Sequence, residues 1–250
     1  MKTRLDVLLA ERGLAPSRTV AQSLVLEGKV RVGGQVETKC GRMVAADAVL
    51  SVEAPPRFVS RGGEKLEGAF DAFPGWSVDG QVCLDVGSST GGFTDCMLQH
   101  GAKRVMAIDV GTNQLAYSLR TDPRVWVREN FNARNLTIGD LPERPTRAVT
   151  DVSFISLKLI LPPMAAVLLP GGEIVSLVKP QFEAGRGQAP GGVVSDPEVR
   201  RRVLEDIIAF GTQTLGLEIL GTAESPIRGR EKGNIEYLAY WRLKECGCMV

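Results

Sequence analysis

The sequence contains a single histidine, His100, and no apolar run that approaches the roughly 20 residues of a membrane-spanning helix. A Ser-His-Asp or Cys-His catalytic centre would have to use His100, but its context, QHGA, is typical of a helix end. The first residues, MKTRLDVLLAERG, carry charges on both sides of a short apolar stretch, unlike a secretory signal. We therefore expect a cytoplasmic protein whose chemistry does not depend on histidine.

Cysteine is also sparse. The five cysteines are scattered and odd in number, and no pair repeats with the spacing of zinc ligands. We expect reduced thiols and no metal site. Cys246 and Cys248 form a lone CxC near the end of the sequence, which we interpret as unstructured rather than as a metal site.

What is present is an ordinary globular composition in which charge is unevenly distributed. The 250 residues allow one or two domains with a well-buried core. Residues 1 to 66 carry 11 Lys and Arg against 7 Asp and Glu, whereas the remainder carries 19 against 22. A basic head on a mildly acidic body favours a head that binds a polyanion, although such segregation also arises by chance.

The first 55 residues predict a small α+β unit. RLDVLLAERG indicates a helix that ends at Gly13, and Ser17 can cap a second helix that ends at Gly28. KVRVGGQVETKC alternates around Gly33-Gly34 and predicts a hairpin, and VLSVEA predicts a further strand.

From residue 65 onward the pattern is that of an α/β domain. Apolar runs that suit strands (QVCLDVG, RVMAIDVG, VWVREN, RAVTDVS, EIVSLVKP) mostly alternate with helical segments (FTDCMLQHG, QLAYSLRTD, SLKLILPPMAAVLL), which predicts a mostly parallel sheet with helices on both faces. PEVRRRVLEDIIAFGTQTLG predicts a long amphipathic helix. LEILGTAESPI and NIEYLAYWRL indicate a closing antiparallel pair. We expect domains at 1–56 and 65–250 with a linker at 57–64.

A glycine-rich turn follows the first strand of this domain, in VCLDVGSSTGGFT at residues 82 to 94. Gly87, Gly91 and Gly92 permit close approach of backbone to a ligand, and the next strand ends at Asp109, an acid placed to bind both ribose hydroxyls of a nucleoside cofactor. The turn is neither GxxxxGK[ST] nor a clean GxGxxG, which disfavours ATP and NAD. Asp85 can pair with the amino group of a methionine moiety, or it simply caps the turn.

Five ordered motifs, LDVGSSTGGFTDC, DVGTNQLAYSLR, DVSFISL, LVKPQFEAGRGQ and GNIEY, resemble the TlyA family almost from end to end. The resemblance implies a ribosomal RNA ribose 2′-O-methyltransferase that uses S-adenosylmethionine. It implies a Rossmann-like, FtsJ-like class I methyltransferase domain behind a small S4-type RNA-binding domain, to which RLDVLLAERGLAPSRTVAQSLVLEGKVRVGG is similar.

By the same resemblance, a catalytic Lys-Asp-Lys-Glu tetrad falls on Lys65, Asp151, Lys179 and Glu236. A ribose hydroxyl is a poor nucleophile, so the enzyme must position the oxygen and help to remove its proton. Lys179 follows an apolar strand, where burial and a second cation favour the uncharged amine. Glu236 could instead be an outward-facing strand residue, and a lone lysine is usually a solvated charge.

The remaining site residues are assigned in the same way. We expect the cofactor to be bound by Asp85, Gly87, Ser88, Ser89, Thr90, Gly91, Gly92, Phe93, Asp109, Val110, Asn130 and Phe131. We expect RNA phosphates to be bound by Arg4, Arg18, Lys29, Arg31, Lys39, Arg42 and Arg61, some of which will be merely solvated. Asn130 and Phe131 could equally be a turn asparagine beside a core phenylalanine.

Three hypotheses follow: a ribosomal RNA methyltransferase, a membrane-lytic protein as the haemolysin label within the family suggests, and a catalytically silent assembly factor that binds RNA. The first is favoured because all tetrad positions are present. Family members modify cytidines in the large-subunit RNA alone or in both subunits. Because the sequence stops soon after YWRLKECGCMV, like the shorter members, we expect modification of large-subunit RNA within a ribosomal subunit.

Overall fold

The computed structural model describes residues 2–54, 56–185, 187–229 and 232–244. The chain divides into two compact units, Met1–Pro56 and Arg57–Val250. Cys246 and Cys248, which we expected to be unstructured, lie outside the described residues.

The described residues of the first unit form two helices and five short strands. Their bounds are β1 Lys2–Arg4, α1 Leu5–Glu11, α2 Arg18–Leu26, β2 Val30–Val32, β3 Gln35–Glu37, β4 Met43–Ala45 and β5 Leu50–Val52. The hairpin prediction is confirmed, because β2 pairs antiparallel with β3 across Gly33-Gly34. The predicted cap is also confirmed: the side chain of Ser17 accepts a hydrogen bond from the N–H of Val20.

The pairing of β1 with β4 was not predicted. Each of these strands has only three residues, too few for an alternating pattern to be visible in the sequence. The core of the unit lies where α1 and α2 meet the three-stranded sheet β3-β2-β5 and consists of apolar side chains such as Leu5, Leu9 and Val25. Helix α1 begins at Leu5, directly after β1, whereas the predicted helix also included Arg4, the last residue of that strand.

The second unit contains seven strands and six helices among its described residues. Their bounds are α3 Gly62–Ala72, β6 Val82–Val86, α4 Gly92–Gln99, β7 Arg104–Ile108, α5 Tyr117–Arg120, β8 Val125–Arg128, β9 Arg147–Thr150, α6 Leu161–Val167, β10 Glu173–Val178, α7 Pro180–Glu183, α8 Pro197–Ala209, β11 Glu218–Glu224 and β12 Tyr237–Arg242. Short 3₁₀ turns lie at Ala133–Asn135, Ile138–Asp140, Leu157–Leu159 and Pro190–Gly192.

The strands form one sheet in the order β11-β12-β10-β9-β6-β7-β8. Strands β10, β9, β6, β7 and β8 run parallel to one another, whereas β12 runs antiparallel to both β10 and β11. The α/β prediction with its closing antiparallel pair is therefore confirmed.

Apolar layers cover both faces of this sheet, because neighbouring residues of a strand point to opposite faces. On β10, Val175 packs in the layer beneath α3 and α4, while Ile174 packs in the layer formed with α6 and α8. Every residue of β10 is buried, as expected for a strand with helices on both sides.

Two predicted helices differ from expectation. The helix predicted in SLKLILPPMAAVLL begins with a 3₁₀ turn, and the α-helix starts only at Leu161, since Pro162 and Pro163 suit a first turn. The long helix α8 ends at Ala209 and continues as a π-helical turn over Phe210–Thr214. At Gly211 in that turn, any side chain would overlap the buried Trp241 ring. Among the described residues, no helix is both long and apolar enough to cross a membrane.

Helices α3 and α4 approach each other closely at Gly92. A Cβ at Gly92 would lie 2.7 Å from the backbone N of Gly63 and 2.9 Å from the Cα of Gly62, distances at which backbone must move. The segment before α3 also belongs to this contact, since the N–H of Val59 donates to Asp95 Oδ2 at 2.8 Å and Phe58 is buried.

We predict that Gly92→Ala lowers the free energy of unfolding of the protein by about 1–3 kcal/mol, because the added methyl group meets the backbone of Gly62 and Gly63 in addition to the Ser60 hydroxyl. Gly139→Ala is the matched control, since the nearest atom to its new Cβ would be 3.9 Å away. Urea titration of both variants measures the difference, and equal stabilities would show that the helix contact adjusts freely.

Candidate active site

Lys179 and Asp151 meet at the carboxyl end of two neighbouring parallel strands. Asp151 directly follows β9 and Lys179 directly follows β10, and these strands pair in register up to Thr150 and Ser176. The Lys179 Nζ atom lies 2.5 Å from Asp151 Oδ1 and donates a hydrogen bond to Ser153 Oγ at 2.9 Å. This edge of an open α/β sheet is where ligands bind.

Lys65 and Glu236 complete the cluster from elements distant in sequence. Lys65 lies in the first turns of α3, and Glu236 immediately precedes β12. The Lys65 Nζ atom lies 2.8 Å from Glu236 Oε2 and 3.4 Å from Asp151 Oδ2. The four predicted catalytic side chains therefore form a continuous ionic chain in the order Lys179, Asp151, Lys65, Glu236.

This chain is largely removed from water. Lys65 is 8% exposed, Lys179 7% and Glu236 2%. Burial of a charge is costly unless an opposite charge and hydrogen bonds compensate it, and here each ammonium group faces a carboxylate. The two positive and two negative charges give the cluster no formal net charge. Each buried lysine charge is therefore balanced by a carboxylate while the lysine faces a substrate.

Two further residues of the cluster were missed by the sequence analysis. Ser153 accepts the hydrogen bond from Lys179, and the Gln181 side-chain amide donates to Glu236 Oε1 at 3.2 Å. Each lies two residues after a tetrad residue, Ser153 after Asp151 and Gln181 after Lys179. The motifs DVS and KPQ could therefore have indicated them. Polar side chains at that spacing after a strand end remain on the same edge.

The glycine turn after β6 forms the wall next to this cluster. Gly87 and Gly91 have φ angles of 81° and 100°, in the left-handed region that favours glycine. A Cβ at Gly87 would lie 2.9 Å from Val152 Cγ1, so only glycine brings the turn this close to the segment that follows β9.

Asp109 holds the glycine turn in place. Its Oδ2 atom accepts a hydrogen bond from the N–H of Ser89 at 2.8 Å, and its Oδ1 atom accepts one from the N–H of Gly111 at 2.7 Å. Each carboxylate oxygen has a second lone pair, so both could also accept from ribose hydroxyls. The predicted ribose acid therefore also fixes the two loops on either side of the site.

Two adjacent cavities flank the glycine turn. The first, about 690 Å³, is lined by all four tetrad residues and by Gly87, Ser88, Ser89, Thr90, Gly92, Phe93 and Arg61. The second, about 740 Å³, is lined by Asp109, Val110, Gln114, Phe131, Asn132 and the turn residues Gly87 and Ser89. Because they share Gly87, Ser89 and Asp151, a nucleoside in the second cavity could extend a reactive group into the first.

Not every predicted cofactor residue lines a cavity. Phe131 lines the second one, with the Arg128 guanidinium 4.0 Å from its ring centroid. Asn130 is exposed, has a φ of 55° and donates its N–H to the carbonyl of Gly111, while Asn132 lines the cavity instead. Asn130 thus has a turn conformation in this structure, and its predicted contact with adenine stays a prediction.

Glu129, a residue not singled out from sequence, organises the loop beside the second cavity. Its carboxylate accepts hydrogen bonds from the N–H groups of Asn113, Gln114 and Leu115 and pairs with Arg120 at 2.7 Å. The Arg120 guanidinium and these N–H groups lower the pKa of Glu129 to about 2. The loop that presents Gln114 to the cavity is therefore held by a carboxylate ionised at all ordinary pH values.

Asp85 lies beneath the glycine turn, fully buried and outside the lining of both cavities. Its Oδ2 atom accepts a hydrogen bond from Thr94 Oγ1 at 2.6 Å, whereas its Oδ1 atom has no partner among the described residues. Burial raises the pKa of Asp85 to about 7. The hydrogen bond from Thr94 uses one oxygen, and the other leaves capacity for a cationic group, so the predicted pairing with an amino group stays a prediction.

In the first unit, Asp6 forms ion pairs with two of the predicted phosphate-binding arginines. Its buried carboxylate pairs with Arg4 at 3.1 Å and Arg18 at 3.0 Å and accepts from the Gln22 amide at 2.7 Å. The side chains of Arg4 and Arg18 stay 46% and 55% exposed. Asp6 therefore orients two solvent-facing guanidinium groups.

The other basic residues have individual partners. Arg42 pairs with Glu37, Lys29 with Glu27 at 2.5 Å, and Arg31 donates weakly to the carbonyl of Gly34. Lys39 contributes its backbone N–H to Glu37. Arg61 belongs to the second unit, where it donates to the carbonyl of Arg228 at the first cavity. Their contacts with RNA stay predictions.

The fold and this edge of the sheet define a class I methyltransferase, and comparisons place the chain within a family. Residues 58–243 match the FtsJ-like methyltransferase family and residues 3–50 match the S4 domain. The chain belongs to the FtsJ-like methyltransferase family and carries an S4 domain ahead of the catalytic one.

Relatives extend over nearly the whole chain. It is 46% identical to the "16S/23S rRNA (cytidine-2'-O)-methyltransferase TlyA" of Mycobacterium tuberculosis, over 96% of this chain and 90% of that protein. It is 48% identical to "Putative rRNA methyltransferase YqxC" of Bacillus subtilis, over 96% of this chain and 85% of that protein. The solved structure "Putative hemolysin from Streptococcus thermophilus" is 44% identical in sequence and superposes with a TM-score of 0.75. The match covers 97% of this chain and 89% of that chain. The resemblance to the TlyA family is therefore confirmed.

We predict that ionisation of Asp85 lowers the free energy of unfolding of the cofactor-free protein by roughly 2 kcal/mol as the pH rises from 5 to 8. Its pKa is raised when folded, so the stability it contributes is present below its unfolded pKa of 3.8 and is lost as the pH rises through about 7. Urea titrations of the wild type and Asp85→Asn measure this, with the exposed Asp71→Asn as control. Identical pH dependence in all three proteins would contradict the assignment.

We predict that Asp6→Asn weakens binding of ribosomal RNA about tenfold, because Arg4 and Arg18 lose the carboxylate that orients them. The substitution also adds one unit of positive charge, which by itself would strengthen binding to RNA. The exposed Asp47→Asn adds the same charge without touching an arginine and is the control. Fluorescence anisotropy with a ribosomal RNA fragment distinguishes them, and equal affinities for the two variants would show that Asp6 does not position the arginines.

Proposed function

We propose that this protein transfers the methyl group of S-adenosylmethionine to the ribose 2′-oxygen of a cytidine in ribosomal RNA. The observation that carries the proposal is the buried chain Lys179, Asp151, Lys65, Glu236 at the cavity beside the glycine turn. The names of the mycobacterial and bacillary relatives support the same activity and the same class of substrate.

The residues around the turn fit S-adenosylmethionine. When bound, this cofactor supplies a methyl group made electrophilic by the sulfonium sulfur. Asp109 would bind the ribose hydroxyls, and Phe131 and Val110 offer apolar surface for the adenine. Asp85 Oδ1, buried and without a partner among the described residues, suits a cationic amino group that approaches through the glycine turn.

Within the tetrad, each residue has a distinct task. Lys179, once it has lost its own proton to solvent, would accept a hydrogen bond from the 2′-hydroxyl group. Its uncharged Nζ would then take up the hydroxyl proton as the oxygen–carbon bond forms and the carbon–sulfur bond breaks. Asp151, which faces both lysines, would orient Lys179. Lys65, held between Asp151 and Glu236, would stabilise the negative charge that develops on the 2′-oxygen. The products are a 2′-O-methylated nucleotide and S-adenosylhomocysteine.

The S4 domain supports delivery of a large RNA. Arg4 and Arg18, oriented by Asp6, and Arg42 would contact phosphates, which fix register without reading sequence. A ribose 2′-oxygen within a structured RNA must be turned out to reach a buried lysine, so we infer that the target nucleotide leaves its stack. We infer further that the protein acts in the cytoplasm on an assembled ribosomal subunit.

Transfer is tested by incubating the full chain and tritiated S-adenosylmethionine with ribosomal subunits that lack 2′-O-methylcytidine. We expect label in ribosomal RNA, and mapping the modified positions in both subunits decides between large-subunit modification and modification of both. Absence of label in either RNA, from a folded protein that binds the cofactor, contradicts the proposal.

We predict that Lys179→Ala lowers the rate of transfer by at least about 10²-fold, because it removes the group that takes up the proton. Cofactor affinity, measured by calorimetry with S-adenosylhomocysteine, should change by less than about threefold, since the cofactor cradle is formed by the glycine turn and Asp109. Lys103→Ala, at an exposed lysine, is the control for loss of charge. Full activity of Lys179→Ala would remove the basis of the proposal.

The alternatives predict other outcomes for the same preparations. A silent assembly factor would bind RNA without transferring label and without binding S-adenosylhomocysteine. A membrane-lytic protein would release dye from liposomes whether or not Lys179 is present. Leakage that survives Lys179→Ala, together with no methylation, would favour that second function.

A further inference from the structure

A second cluster of reactive side chains lies outside both cavities, where α3 packs against α4. It consists of Glu67, Cys96 and His100. Glu67 comes from α3, while Cys96 lies on α4 and His100 forms its C-cap. Because Cys96 and His100 are four residues apart, they share one face of the helix and point toward the same residue of α3.

The donor atoms of these residues are close enough to share one ion. His100 Nε2 lies 2.8 Å from Glu67 Oε2, and Cys96 Sγ lies 3.6 Å from the same oxygen. All three donor atoms lie within 4.8 Å of one another. Zinc–sulfur and zinc–nitrogen bonds of about 2.3 and 2.0 Å place tetrahedral ligands about 3.3–3.7 Å apart, so only small side-chain movements are needed.

Neighbouring residues hold the donors in orientation. The ring of Phe70 stacks on the His100 ring with centroids 3.7 Å apart and planes 4° from parallel. Arg57 Nη1 pairs with Glu67 Oε1 at 2.8 Å, which leaves Oε2 directed at Cys96 and His100. Such outer contacts commonly orient the ligands of a metal ion.

The cluster is also accessible from one side. Cys96 is fully buried, whereas the side chains of Glu67 and His100 are 22% and 28% exposed. A cation could therefore enter past the carboxylate and the imidazole, reach the thiol, and keep a water molecule as its fourth ligand. A simple ion pair between Glu67 and His100 would need neither the thiol nor its orientation toward the same oxygen.

We propose that Glu67, Cys96 and His100 bind a single divalent cation of the zinc class, with one coordination position open to solvent. A thiolate, an imidazole and a carboxylate are donors that zinc accepts together and that magnesium and calcium do not favour. The site lies apart from the tetrad, and its role is to clamp α3, which carries Lys65, to α4, which follows the glycine turn. The proposal does not depend on the proposed function.

Sequence spacing alone did not indicate this site, and we expected no metal. Cys96 and His100 form an isolated CxxxH, and the third donor comes from another helix 29 residues earlier than Cys96. A cluster assembled by helix packing leaves no repeated spacing in the sequence.

The test uses the full chain with Cys246→Ser and Cys248→Ser, so that the terminal thiols cannot contribute, after removal of metals with a chelator. We expect one equivalent of Zn²⁺ to bind in calorimetry, no binding of Mg²⁺, and a thiolate-to-cobalt charge-transfer band when Co²⁺ is added. Zn²⁺ should also raise the melting temperature, because an ion that binds the folded state stabilises it.

Cys96→Ala and His100→Asn, made in this parent, should each weaken Zn²⁺ binding at least tenfold. Cys96→Ala should also abolish the cobalt band, because it removes the thiolate from which the band arises. His100→Asn keeps a residue suited to the helix end, so that folding is preserved. A third variant, Glu67→Gln, keeps a hydrogen-bonding partner for the imidazole and should also weaken Zn²⁺ binding. Cys40→Ser, at a thiol of the first unit, is the matched control and should bind Zn²⁺ like the parent. Failure of the parent to bind Zn²⁺, or undiminished binding by Cys96→Ala and His100→Asn, would overturn the proposal.

Discussion

Two ammonium groups and two carboxylates are buried side by side at the carboxyl edge of the sheet. Because each charge is balanced by a neighbour of opposite sign, the elements that carry them must pack together. Removal of any one would leave a neighbouring charge without compensation in a place that water hardly reaches. The cluster therefore requires that α3, the ends of β9 and β10, and the segment before β12 all arrive together. Since Lys65 bridges Asp151 and Glu236, the helix that carries it is as much a part of the site as the sheet.

The close packing of α3 on α4 also follows from the need to bring Lys65 to the buried charges. Helix α4 begins at Gly92, immediately after the turn that would cradle a cofactor, and it must lie near the first residues of α3 for Lys65 to reach Asp151. Only glycine at 92 permits this approach to the backbone of Gly63. The proposed zinc ligands lie further along the same pair of helices, so one helix contact would serve both the cofactor turn and the tetrad.

Some of the polar groups near the cavities serve to shape the loops rather than to react. Asp109 binds the N–H groups of Ser89 and Gly111, and Glu129 binds three successive N–H groups beside the second cavity. A carboxylate that accepts several backbone hydrogen bonds holds a loop without covering the surface that a ligand needs. Preorganised loops of this kind reduce the conformational entropy lost when a ligand binds.

The sequence by itself determined most of the order of strands and helices in the second unit, the hairpin and the glycine turn, and the resemblance of its motifs indicated the four tetrad residues. These features depend on local periodicity, turn chemistry and ordered motifs, which involve residues close together in the sequence. Only the tertiary structure decided which side chains meet: Gln181 with Glu236, Asp6 with two arginines, and Glu67 with Cys96 and His100. Such contacts are set by how elements far apart in sequence pack, and packing geometry leaves no period in the sequence from which it could be inferred.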